Sequence, residues 1–150
     1  MLNRARCVAG RRSLPFGAIS AWLPEGEEDW TVARILLAED DDSLRQFLTQ
    51  NLGRAGHQVE SHGDGDAAWS ALERASFDLL LTDIVMPGLD GIELARRAAE
   101  AAPGMKIMFI TGFAAVALSQ SNPAPKEAKV LSKPFHLKDL VAEVERMMAA

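Results

Sequence analysis

Cysteine is almost absent: Cys7 is the single one in 150 residues, so no internal disulfide can form and no cysteine metal motif exists. Nothing therefore points to an oxidising compartment. Long hydrophobic runs are missing as well. No stretch approaches the roughly 20 apolar residues of a membrane span, which predicts a soluble chain. Positive charge is in deficit, with a formal net charge of -5, and this argues against a nucleic-acid-binding surface. The three histidines, His57, His62 and His136, are scattered without metal-ligand spacing, so surface or loop positions are expected for them. The full glycine fingerprint of a dinucleotide site is lacking too; Gly63-Asp64-Gly65 leads from a loop into a helix and is only a weak phosphate-cradle signal. What remains is an ordinary globular composition, 48% hydrophobic and 25% charged, of about one domain's length.

Residues 1–32 read differently from the rest. Arg4, Arg6, Arg11 and Arg12 balance Glu25, Glu27, Glu28 and Asp29, so the whole of the -5 falls on the remainder. Glycine and proline punctuate the stretch and no hydrophobic period persists. Ile19 to Leu23 is too short for the apolar core of a secretory signal. A disordered extension, or an upstream stretch translated from a misplaced start, is expected here, with one domain over residues 33–150.

From Ala33 the pattern is regular. Arg34 to Ala38 is a short apolar strand ending in Glu39-Asp40-Asp41-Asp42. Leu44, Phe47, Leu48 and Leu52 then recur at helical spacing. A weaker strand over His57 to Ser61 precedes a helix with Ala68, Ala71 and Leu72 inside. Leu79, Leu80 and Leu81 form a run of the kind buried on both faces of a parallel sheet, and it stops on Asp83. A helix from Gly91 to Ala102, a strand from Lys106 to Ile110, a short helix over 113–120 and a strand from Lys129 to Ser132 follow. The last helix carries Leu137, Leu140, Val141, Val144, Met147 and Met148 on one side, a core face. Strand and helix alternate five times, which predicts a three-layer α/β domain: a doubly wound, five-stranded parallel sheet with helices on both faces.

In that fold the strand ends share one edge. Glu39 and Asp40 end the first strand, Asp83 the third, Thr111 the fourth, and Lys133 follows the fifth. Ligands bind just outside the carboxyl ends of open parallel sheets. Three carboxylates that close repel one another unless a cation lies between them, and an all-oxygen set with room for water suits Mg²⁺. With the metal, Lys133 and the Thr111 hydroxyl, the crevice is arranged to stabilise a phosphoryl group. Asp41, Asp42 and Ser43 are instead read as capping the first helix.

Glu39-Asp40, Asp83, Met86-Pro87-Gly88, Asp90-Gly91, Thr111 and Lys133-Pro134-Phe135 together resemble the receiver domain of two-component response regulators, over about Ala33 to Ala150. The resemblance implies a flavodoxin-like receiver fold and a cytoplasmic signalling protein that catalyses only its own phosphorylation and dephosphorylation. It implies Asp83 as phosphoacceptor, and Mg²⁺ held by Glu39, Asp40, Asp83 and the backbone carbonyl of Val85. Thr111 and Lys133 would bind the phosphoryl oxygens, and the Lys133-Pro134 bond would be cis. A histidine kinase or histidine phosphotransfer protein is the implied donor.

Two departures stand out. Glu39 replaces the aspartate common at its position, and Val130 stands where receivers often carry a mobile aromatic; a β-branched side chain cannot make that large swing. The run ARILLAEDDDSLRQFL, with VLSKPF, is similar to CpdR-type single-domain regulators of cell-cycle phosphorelays, which implies an adaptor role toward the ClpXP protease and its substrates. A chemotaxis-type or phosphate-shuttle receiver is the alternative. An Mg-dependent phosphatase with an aspartate nucleophile would place a second aspartate where Val85 stands. A flavodoxin-like cofactor binder is the remaining alternative, and a colourless protein would exclude it. No appended output module is expected, so the output should be another protein.

Overall fold

Alternating apolar runs and helical periods fold into a five-stranded sheet in the computed structural model, which describes residues 32–112, 124–125 and 127–149. All that follows belongs to one unit, Ala33–Ala150. The strands are β1 (Arg34–Ala38), β2 (Gln58–His62), β3 (Leu79–Thr82), β4 (Lys106–Thr111) and β5 (Lys129–Ser132). Between and after them lie α1 (Asp42–Arg54), α2 (Gly65–Arg74), α3 (Gly91–Ala101) and α4 (Leu137–Ala149). The expected N-terminal extension and the expected helix over 113–120 lie outside the described residues.

All strand pairs are parallel and their order is β2-β1-β3-β4-β5. The winding reverses between β1 and β3, so a crevice opens outside the carboxyl ends of those two strands. Side chains alternate along each strand and divide the core in two. Leu36, Leu80, Ile107 and Phe109 pack with α2 and α3, whereas Ile35, Leu37, Leu79, Leu81, Met108 and Ile110 pack with α1 and α4. Every residue of β3 is buried, and each of its leucines contributes roughly 1.5–3 kcal/mol by leaving water. The strand that delivers Asp83 is therefore firmly held.

Three helices start on an aspartate whose side chain accepts a backbone N–H: Asp41 from Leu44, Asp64 from Ala67 and Asp90 from Glu93. Of the three residues read as caps of α1, only Asp41 caps. Asp42 is already helical and pairs with Arg45. Gly63-Asp64-Gly65 also resolves into a helix start, for Asp64 is the cap and Gly65 lies so close to the β3–α3 loop that a Cβ there would sit 1.9 Å from the Leu89 carbonyl oxygen. Gly88, in the same loop, has φ +73°, a left-handed conformation that side chains with a Cβ rarely adopt.

Small departures from the expected boundaries have local causes. β2 runs one residue later than its hydrophobic pattern suggested, because pairing of Ala38 with His62 carries the ladder to the end of β1. β4 extends to Thr111, opposite Ser132. His57 lies in the loop before β2, one of the two kinds of position expected for the histidines, but it is not on the surface. Only 5% of it is exposed, and its Nδ1 accepts the Ala33 backbone N–H at 3.1 Å. Trp69 is partly buried against the α2/α3 side of the core, with the Arg97 guanidinium 5.6 Å from its ring.

Candidate functional site

The backbone ladder continues past the ends of the strands and fixes the residues that follow. Glu39 N–H donates to His62 O (3.1 Å), Asp83 N–H to Ala38 O (2.9 Å) and Lys133 N–H to Thr111 O (2.8 Å). These bonds bring residues from three parts of the sequence to one end of the sheet. Ligand oxygens of Glu39, Asp40 and Asp83 lie within 4.8 Å of one another. The Lys133 Nζ donates to Asp83 Oδ2 at 3.0 Å and to Glu39 Oε1 at 3.3 Å. Thr111 is fully buried at the end of β4, on the strand between those that lead to Asp83 and Lys133. The Lys133-Pro134 bond is cis, as the resemblance implies.

Local contacts orient the carboxylates of Asp83 and Glu39. The Ile84 N–H donates to Asp83 Oδ1 at 2.7 Å, and Lys133 takes Oδ2, so both oxygens of the acid are directed. Asp41 N–H donates to Glu39 Oε2 at 3.1 Å. Gly91, at the start of α3, donates its N–H to Ile84 O at 2.8 Å and holds the loop after Asp83 tightly. Val85 is exposed in that loop, while Ile84 and Met86 on either side are buried.

Charge in the crevice is not balanced by the protein alone. Burial pushes the Glu39 carboxyl above its usual range, and the Asp83 charge adds to this; the Asp41 N–H and Lys133 oppose the shift without cancelling it. For Lys133, burial pulls the ammonium down, yet bonds and charge from Asp83 and Glu39 outweigh it and hold the pKa above the ordinary value. One ammonium among three carboxylates leaves demand for more positive charge. The donor set is entirely hard oxygen, the chemistry of Mg²⁺ rather than of a softer metal. Glu39 carries an extra methylene relative to aspartate, and still reaches the other two acids.

Lys133→Ala tests this balance. It removes a cation bonded to both Asp83 and Glu39 and should cost about 1–2 kcal/mol without divalent cation. That is below the roughly 3–5 kcal/mol of a fully buried pair, because the lysine side chain is 28% exposed. Millimolar Mg²⁺ should recover much of the loss. Urea unfolding with chelator and with Mg²⁺ measures both quantities. An equal loss under both conditions would contradict the charge argument.

Sequence reasoning passed over Arg45, whose guanidinium donates to the Glu39 carbonyl at 2.6 Å, and Asp66, whose Oδ2 accepts the Leu89 N–H at 3.2 Å. Both support the site from a neighbouring helix. Arg45 lies three residues after Asp42, a visible helical ion-pair spacing, but nothing in the sequence shows it reaching back to Glu39.

A doubly wound sheet with acids at its switch point and a lysine bonded to the central one defines a receiver domain. The Response regulator receiver domain family matches residues 35–145, and the chain belongs to that family. It is 61% identical over 117 residues to the response regulator receiver protein CpdR of Brucella abortus (strain 2308), spanning 78% of this chain and 98% of that protein. Among solved structures, the receiver domain of the hybrid histidine kinase CckA is similar with TM-score 0.66 and 30% identity, over 77% of this chain and 98% of that one. The response regulator TrrA of Thermotoga maritima, solved in complex with Mg(2+)-BeF, is similar with TM-score 0.68 and 25% identity, over 76% and 97%. Among the described residues no helix is long and apolar enough to cross a membrane.

Proposed function

We propose that this chain is a single-domain response regulator phosphorylated on Asp83. The observation that carries the reading is the Lys133 ammonium bonded to Asp83 and Glu39 beside a third acid, Asp40. In this reading the Asp83 carboxylate oxygen attacks the phosphorus of a phosphohistidine. The phosphorus–nitrogen bond breaks and its electron pair stays on the departing imidazole. Glu39, Asp40, Asp83 and the Val85 carbonyl would hold Mg²⁺. When bound, the metal supplies positive charge that offsets the negative charge shared by acid and phosphoryl group. Lys133 and Thr111 then bind the phosphoryl oxygens and orient them. A histidine kinase or histidine phosphotransfer protein is the donor, and the chain catalyses nothing beyond its own phosphoryl transfer and dephosphorylation. Residues 33–150 make up the working domain, in the cytoplasm, and residues 1–32 are dispensable to it.

For the output, the similarity to CpdR-type regulators supports an adaptor for ClpXP proteolysis, with the unphosphorylated form as the binding form. The surface of β5 and α4 adjoins Lys133 and is placed to report the phosphoryl group. Val130, half-buried against the α2/α3 side of the core, stands where receivers often carry a mobile aromatic and cannot make that swing. Phosphorylation would shift the population away from the binding state. Immobilised ClpX should capture the untreated chain and Asp83→Ala alike, and should capture the acetyl-phosphate-treated chain about tenfold less. Capture of neither form would refute the adaptor role and favour the chemotaxis-type or phosphate-shuttle reading. Stronger capture after phosphorylation would reverse the polarity.

A further inference from the structure

We infer that Arg45 is a positioning residue for the cation-binding end of the site: its guanidinium holds the backbone of Glu39 so that Glu39 and Asp40 present their carboxylates beside Asp83. The inference rests on the cation-binding reading above and concerns a residue of α1 outside the acids and the lysine.

Glu39 is the first residue beyond β1, where the ladder gives out. Its N–H still reaches His62 O at 3.1 Å on the β2 side. Its carbonyl accepts Arg45 Nη1 at 2.6 Å, and Nη2 of the same guanidinium is paired with Asp42. A third surface completes the seat. A Cβ on Gly63 would lie 3.1 Å from Nη1 and 3.6 Å from Cζ, so the guanidinium rests against the backbone just after β2. The Arg45 side chain is 21% exposed, confined between β1, β2 and its own helix. The peptide that joins Glu39 to Asp40 is thus gripped at the carbonyl of the first acid, and rotation of that peptide would carry Asp40 with it. Asp40 is exposed and follows directly on the gripped carbonyl, so the backbone aims it.

A purely structural role would have Arg45 satisfy a carbonyl at a strand end, and its loss would lower stability alone. A positioning role makes a further demand: cation affinity must fall more than stability does. Groups that orient ligands from outside the coordination shell typically change metal affinity 10- to 100-fold. Lysine keeps the charge but lacks the planar fork that spans Glu39, Asp42 and the face over Gly63.

The test is a calorimetric Mg²⁺ titration of the full chain, with urea unfolding alongside, for wild type, Arg45→Gln, Arg45→Lys, Gly63→Ala and the exposed control Arg96→Gln. Arg45→Gln should raise the Mg²⁺ Kd about tenfold or more, Arg45→Lys should restore little of it, and Arg96→Gln should match wild type. Gly63→Ala presses on Nη1 with the arginine still present and should raise the Kd a few-fold, which keeps the inference testable if Arg45→Gln folds poorly. Arg45→Lys and Gly63→Ala binding within twofold of wild type would overturn the positioning role and leave the cation site standing. Wild type failing to bind Mg²⁺ would overturn the cation reading itself, and this inference with it.

Discussion

Asp83→Asn should take up no phosphoryl group from acetyl phosphate under conditions in which the wild type is labelled, a loss to background rather than a slowed rate. The reason is chemical. The acid at this position is the nucleophile of the proposed transfer, and an amide, whose nitrogen lone pair is delocalised into the carbonyl, offers no comparable oxygen or nitrogen nucleophile. The same substitution should leave the fold intact. The amide oxygen of asparagine can still accept the Ile84 N–H that reaches Asp83 Oδ1 at 2.7 Å. Lys133 loses one anionic partner but keeps Glu39 at 3.3 Å. Removing one of three clustered carboxylates also relieves repulsion, so stability should stay within about 1 kcal/mol of wild type. Phosphotransfer gel or intact-mass measurement reads the first expectation and urea unfolding the second. Undiminished labelling of Asp83→Asn would move the phosphoacceptor elsewhere.

Gly91→Ala should produce a large loss of stability. A Cβ at Gly91 would sit 1.9 Å from Asp83 O and 2.8 Å from both Asp83 C and the Ile84 Cα. All three are backbone atoms of a buried segment, so no flexible side chain can yield. Either α3 retreats and gives up the Gly91 N–H bond to Ile84 O, or the backbone carrying Asp83 moves. A cost of about 3 kcal/mol or more follows from overpacking of this kind, and for a domain of this size Tm should fall on the order of 10 °C. Gly53→Ala is the matched control. Nothing lies within 4 Å of a Cβ there, inside α1, and alanine in a helix interior is favoured over glycine by about 0.5–1 kcal/mol. Calorimetry of both variants should show opposite shifts. Equal shifts would mean that the contact between α3 and Asp83 is looser than described.

How much of this was readable in the sequence depended on whether the signal was local. β1, β3 and β4 announced themselves as apolar runs closed by polar residues, because strands buried on both faces need no alternation; β5, at the other edge and without a buried residue, was marked instead by the Lys133-Pro134-Phe135 that follows it. Asp83 stood out by ending one of those runs. β2 was harder, since it lies at the sheet edge, pairs only with β1 and has no fully buried residue; its pattern is weak and its boundary moved by one. The grouping of Glu39, Asp40 and Lys133 with Asp83 followed from topology once the alternation of elements was recognised, and the receiver resemblance reinforced it.

The supporting contacts were not legible. His57 lies between Gly56 and Gln58 in a polar stretch, yet it is buried and its Nδ1 accepts the N–H of Ala33, distant in sequence. Gly65 and Gly91 look like ordinary helix starts, and only the approach of a separate loop or strand end shows why a Cβ is excluded. Arg45 shows an ion-pair spacing with Asp42 along the helix, while its bond to Glu39 runs against the chain direction into the site. Such contacts depend on where two elements meet and leave no periodic trace.

Trapping the modified residue tests the central claim most directly. After treatment with acetyl phosphate, borohydride reduces an aspartyl phosphate to homoserine, and tandem mass spectrometry locates it. Homoserine should appear at Asp83 alone, with Mg²⁺ present, and should vanish when the metal is chelated. Homoserine at another carboxylate, or formation at Asp83 indifferent to chelator, would contradict the account.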